Sequence, residues 1–172
     1  MRYYVIIRQN NTLKSTSVSI MGIEADLKTK NIENYYQKLH LNLLFTSNWL
    51  EQKMMGLFKD NGITSHQFNV LRILRGNKGE PMPACAIQDR MISRNSNVTR
   101  IVEKLLLKNY VTKKFNEQNR RMIEIKITTE GLDLLSSLDN KIASMHHQIM
   151  DNLSEEEAFT ISNLLDKMRD NK

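Results

Sequence analysis

The side chains best suited to chemistry lie in one run of the 172-residue chain, Ser93-Arg94-Asn95-Ser96-Asn97-Val98-Thr99-Arg100. Asn95, Ser96, Asn97, Thr99 and Arg100 are short donors and acceptors plus one arginine, without bulk that would keep them out of a groove. Arginine can bind guanine O6 and N7 in bidentate fashion and asparagine can do the same to adenine, each good pair giving about 1–3 kcal/mol of discrimination. Further along, Asn116–Arg121 contains no apolar residue and ends in Asn119-Arg120-Arg121, and arginines so placed suit a narrow, electronegative minor groove. Arg94, Lys104, Lys113 and Lys114 read as phosphate neutralisers, which position a protein on a duplex without specifying its sequence.

The distribution of charge supports an anionic partner. The chain holds 25 Lys and Arg against 19 Asp and Glu, a net +6, with a pI near 9.4. Residues 90–126 hold 10 basic and 3 acidic side chains, a net +7, whereas residues 127–172 hold 4 and 9, a net −5. A solvated face is the ordinary reading of a basic run. The acidic C-terminal segment argues against it, because basic residues are not scattered evenly. Something negative is expected to meet residues 90–126.

The surrounding pattern supplies elements that can hold these side chains. Ile32, Tyr36, Leu39, Leu43, Leu50, Met54 and Leu57 recur at three- and four-residue steps, which predicts a long helix from Asn31 to about Lys59, broken by Gly62. Tyr35, Leu44, Phe45 and Trp49 lie off that stripe, so the helix has a second apolar side that calls for a partner chain. Thr64-Ser65-His66-Gln67 reads as a capping box opening a helix whose inner face is Phe68, Leu71 and Leu74. Pro81 and Pro83 bracket a short extended piece, and Pro83 favours a helix start with Ala84, Ile87 and Met91 on one side. The next helix buries Val98, Ile101, Val102 and Leu105, leaves positions 96, 100 and 104 on the other face, and stops at Asn109. Val111, Lys113 and Phe115, then Ile123, Ile125 and Ile127, alternate with polar residues and predict a hairpin. Thr128 or Thr129 caps a second long helix, and Ser154-Glu155-Glu156-Glu157 opens the last. The expected fold is mostly α with a small antiparallel β-hairpin. It is a winged helix-turn-helix domain flanked by long N- and C-terminal helices, its third short helix being the element for a DNA major groove.

Other chemistries fit less well. The longest apolar runs span only a few residues, far short of the roughly 20 of a membrane helix. The single cysteine, Cys85, excludes an internal disulfide and CxxC motifs, and is read as a buried structural residue. Adjacent His146 and His147 point about 100° apart on a helix and make poor partners for one ion, so no metal is expected. The 10 methionines are read first as core; should they line a pocket, Tyr35, Tyr36, Leu39, Trp49, Phe68 and Leu71 are its candidate walls. No nucleophile, base and orienting group stand together, so no enzyme and no cofactor is expected. Residues 1–20 are expected to be an extension outside the working domain, with Met21 as the alternative start, and either to pair as a strand or to fray. The expected division is an extension over 1–30, flanking helices over 31–62 and 129–172, and the winged helix-turn-helix DNA-binding domain over 63–128.

From Thr64 to about Leu135 the chain resembles the MarR family (multiple antibiotic resistance regulators). TSHQFNVLRIL, SNVTRIVEKLLLKNYVTKK and NRRMIEIKITTEGLDLL carry the resemblance, in order and with matching spacing. It implies a cytoplasmic homodimer, with the helices over 31–62 and 129–172 as its N- and C-terminal dimerisation helices, on a pseudo-palindromic, double-stranded operator, acting as a transcriptional regulator, more as repressor than activator. Control by small phenolic or lipophilic ligands is implied too. Asn119 stands where the family's wing usually has Asp, so an acceptor for Arg121 remains without the charge assistance of a carboxylate. A winged-helix protein-interaction or ligand-sensing module without DNA binding is the alternative reading.

Overall fold

The computed structural model describes residues 22–29, 31–116 and 123–170. In chain order it contains α1 (Ile23–Asp26), α2 (Tyr35–Asp60), α3 (Ser65–Gly76), β1 (Met82–Pro83), α4 (Ala84–Arg90), α5 (Val98–Leu106), β2 (Val111–Phe115), β3 (Ile123–Ile127), α6 (Thr129–Met150) and α7 (Glu155–Arg169). Two compact units divide within α2, one running to Trp49 and the other starting at Leu50. In the first, Lys38 Nζ lies 2.6 Å from Glu24 Oε1, tying α1 to the start of α2 and holding the Glu24 carboxyl below its usual pKa. Helix α2 begins at Tyr35, four residues later than the apolar spacing predicts. There Asn34 Oδ1 accepts from the Gln37 backbone amide at 3.0 Å, which covers an orphan donor at the helix start.

In the second unit, one core joins α3, the sheet, α4, α5 and the start of α6. Val70, Leu71, Leu74, Met82, Ile87, Met91, Val98, Val102, Leu105, Val111, Ile125, Ile127 and Leu135 are buried together. Each fully buried aliphatic side chain contributes about 1.5–3 kcal/mol by leaving water. A smaller cluster of Phe58, Ile63 and Leu138 adjoins it, with the Phe58 and Phe68 rings 4.9 Å apart.

The expected caps are present. The Gln67 amide donates to Thr64 Oγ1 at 3.2 Å while Gln67 Oε1 accepts from the Thr64 amide at 3.0 Å. Ser154 and Glu157 close the same kind of box on α7. Asn109 takes the left-handed conformation after α5, with φ 59°, and Gly62 does so after α2, with φ 67°.

The sheet differs from the expected hairpin by one strand. Its order is β1-β3-β2, all antiparallel, with Met82 opposite Ile125 and Pro83 opposite Glu124. Two residues are too few for a period-2 signal, and Pro83 is tolerated because β1 lies at the sheet edge. Cys85 is a second correction: it is exposed, since Ala84, Ile87 and Met91 supply the inward positions of this stretch.

The β3–α6 junction is tight. Thr128 caps α6 by accepting from the Gly131 amide at 3.1 Å, donates through Oγ1 to Asn109 O at 2.7 Å, and gives its own amide to Tyr110 O at 3.1 Å. Gly131 is buried there, and a Cβ on it would come within 2.4 Å of Tyr110 O and 2.8 Å of Ile127 Cγ1. Only glycine lets the wing root and the helix approach this closely. Two turns further along α6, Arg75 grips Asp139 through two nitrogens at 2.8 and 2.9 Å, with Arg72 at 3.5 Å. The hydrogen bond from Arg75 holds the Asp139 carboxyl below its usual pKa of 3.8, and the carboxylate raises that of Arg75 in return.

Candidate nucleic-acid interface

Helix α5 is short and sharply two-sided. Val98, Val102 and Leu105 are buried, whereas Thr99, Arg100, Glu103 and Lys104 are exposed. Arg100 and Lys104 are one turn apart on the exposed side, where a groove-filling helix needs them. Arg94 and Asn95 are also exposed, in the turn that leads into α5.

Asn97 and Ser96 are placed less simply. Asn97 is the N-cap: its Oδ1 accepts from the Arg100 amide at 3.0 Å, so that oxygen is committed to the helix. The Ser96 hydroxyl is buried in the turn and, among the described residues, has no hydrogen-bond partner. The turn itself is fastened from two helices. Asn69 Oδ1 on α3 accepts from the Ile92 amide at 3.0 Å, and the Gln88 side chain on α4 donates to Arg94 O. Neither residue stands out in the sequence, because a lone polar side chain inside an amphipathic helix carries no periodic signal. Ile92 stands 91% exposed at this turn.

On the hairpin, Val111 pairs with Ile127, Lys113 with Ile125 and Phe115 with Ile123. Successive side chains leave a strand on opposite faces, so Lys113 and Lys114, both exposed, project to opposite sides of the wing. The two phosphate roles expected of them therefore belong to different faces. Asn119, Arg120 and Arg121 lie outside the described residues. Lys108, one of the basic residues of the central run, is exposed but already engaged: its ammonium donates to Gly62 O at the α2–α3 connection.

Of the candidate pocket walls, Leu71 is fully buried within the main core and Phe68 packs on Phe58, while Tyr35, Tyr36, Leu39 and Trp49 are exposed in the other unit. Among the described residues no group of three or more His, Cys, Asp or Glu side chains could hold a metal ion, and no helix is long and apolar enough to cross a membrane.

Comparison with known proteins agrees with this geometry. Residues 63–123 match the model of the MarR family. The HTH-type transcriptional repressor YetL of Bacillus subtilis is 24% identical over 127 residues, covering 74% of this chain and 76% of that protein. The HTH-type transcriptional regulator SarZ of Staphylococcus epidermidis is 27% identical over 128 residues, covering 73% and 84%. Among solved structures, a MarR transcription factor from Planctomyces limnophilus superposes with a TM-score of 0.62 at 25% identity, covering 79% of this chain and 98% of that one. A mutant MarR from E. coli complexed with operator DNA shares the fold with a TM-score of 0.69 at 20% identity, over 80% and 99%. Over its winged-helix core the chain is thus similar to the MarR family in sequence and in fold.

Proposed function

We propose that this protein is a transcriptional regulator that binds double-stranded DNA sequence-specifically as a homodimer, more as repressor than activator. The observation that carries the reading is α5, with Thr99, Arg100 and Lys104 exposed over a base of buried Val98, Val102 and Leu105. In the proposed complex Arg100, Thr99 and Asn95 read base edges, and Arg94, Lys104 and Lys113 meet phosphates. Arg120 and Arg121, with Asn119 as acceptor, serve the minor groove. The helices over 31–62 and 129–172 form the dimer. In support, Leu44, Phe45, Trp49 and Met55 are exposed on α2, and α7 buries none of its residues while exposing Phe159, Ile161, Leu164 and Met168. Apolar faces of this kind mark protein interfaces.

Two α5 helices related by a two-fold axis reach major grooves about one helical turn apart, or a multiple of it. Release by a small lipophilic or phenolic ligand follows if the ligand binds better to a dimer whose α5 spacing no longer fits the duplex. Selection of bound duplexes from a random pool tests the reading, and a recovered palindrome reports function, symmetry and spacing together. Failure to retard any duplex at low salt, or a monomeric mass in solution, refutes it and favours a protein-interaction module.

A further inference from the structure

We propose that Phe115 and Ile123 form an apolar ledge on the wing that packs against the deoxyribose faces of the bound duplex, beside the Lys113 phosphate contact. The proposal rests on the DNA-binding reading above. The register puts Val111, Lys113, Phe115, Ile123, Ile125 and Ile127 on one face of the hairpin, because directly opposed residues share a face. The inner part of that face, Val111, Ile125 and Ile127, is core. At Phe115 and Ile123 the strands run on past the core, and these side chains stand 68% and 40% exposed. The opposite face is polar throughout, with Thr112, Lys114, Glu124 and Lys126.

A single exposed hydrophobe needs no explanation. This one is a cross-strand aromatic–aliphatic pair on a ribbon whose other exposed side chains are polar. It shares its face with Lys113 and borders in sequence the segment that ends in Arg120 and Arg121. The occupant must therefore offer negative charge and an apolar surface at the spacing of alternate strand residues. The edge of a DNA groove does so, with phosphates flanking the carbon-bound hydrogens of the sugars. A second copy of the ledge would bring Lys113 against its own counterpart, and like charges so placed repel. The ring also sits at the end of a paired strand, with its partner Ile123 beside it, so little ordering accompanies binding.

The test combines operator affinity over a salt series with hydroxyl-radical footprinting, which reads how accessible each deoxyribose is. Covering about 40–60 Å² of apolar surface corresponds to a loss of roughly 5- to 10-fold in affinity for Phe115→Ser. That loss should be the same at every salt concentration, because no counterion is involved. Sugar protection should vanish only at the wing positions of the footprint, and Phe115→Leu should restore most of both. Lys113→Ala should instead lower the salt slope by about one. Wild-type affinity for Phe115→Ser, or a loss of affinity with sugar protection intact, overturns the ledge while leaving DNA binding standing. A change of solution mass in Phe115→Ser overturns it too, by making the pair a protein contact. A wild-type protein that binds no duplex removes the DNA reading, and the ledge with it.

Discussion

Replacing Gly131 with alanine should destabilise the protein although alanine is the better helix former. The added Cβ would sit 2.4 Å from Tyr110 O and 2.8 Å from Ile127 Cγ1, where ordinary contact begins near 3.4 Å. Tyr110 O cannot swing aside freely, because it accepts the Thr128 amide at 3.1 Å, and Thr128 is held in turn by Asn109 O and Gly131. Forcing a methyl group into a packed site costs about 1–3 kcal/mol. Weakening one buried backbone hydrogen bond adds about 1 kcal/mol. The helix-propensity gain of alanine returns at most about 1 kcal/mol. The net loss is about 1–4 kcal/mol, or a fall in Tm of roughly 2–16 °C for a chain of this size. The control is Gly76→Ala at the end of α3, where a Cβ meets nothing within 4 Å, so stability should rise by a few tenths to about 1 kcal/mol. Urea titration by far-UV circular dichroism, repeated at several protein concentrations to separate dimer dissociation, measures both variants. Equal or greater stability for Gly131→Ala would falsify the claim that this junction admits only glycine.

Three further outcomes are expected. Arg100→Ala should reduce discrimination between the selected duplex and random DNA, whereas Lys113→Ala should weaken binding to both alike; equal losses on both duplexes for both variants would reverse the assigned roles. Asn97→Ser keeps an N-cap acceptor and should retain stability and operator preference, while Asn97→Ala should lose about 1 kcal/mol of stability; a changed preference in the serine variant would mean that the Asn97 amide also reads a base. Asp139→Asn should cost about 0.5–1 kcal/mol at neutral pH, a modest value because the pair is part-exposed. Its folded pKa is depressed, so this contribution is present above the ordinary value of 3.8 and lost as pH falls through the folded one. Acid-unfolding curves of the two proteins should draw together only as pH falls below 3.8 and through the depressed pKa of Asp139, and a gap unchanged at the acid end would contradict the pairing.

Much of the fold was legible because local rules agree with global packing. Thr64 with Gln67 and Ser154 with Glu157 announce helix starts, Asn109 a helix end, and the two alternating runs a hairpin. Thr99, Arg100 and Lys104 were legible as an exposed set because Val98, Val102 and Leu105 alternate with them at helical spacing. What was not legible depends on partners distant in sequence. The strand at Met82–Pro83 exists only because Ile125 and Glu124 lie beside it. Lys108 reads as one more basic side chain until Gly62 O is found next to its ammonium. Cys85 reads as structural until its neighbours take the inward positions.

Legible from neighbouring residues alone were the starts of the capped helices and of the two hairpin strands, the segment that carries the positive charge, and the residue types at the start of α5. Periodicity and capping are properties of neighbouring residues, so they survive without a third dimension. Tertiary structure alone decided which of those side chains are free to act. It turned the Asn97 oxygen to capping, buried the Ser96 hydroxyl, split Lys113 from Lys114 across the wing, and left Phe115 and Ile123 outside the core. Whether a polar or apolar atom can meet a ligand depends on the competing groups that packing brings to it, and those groups come from elsewhere in the chain.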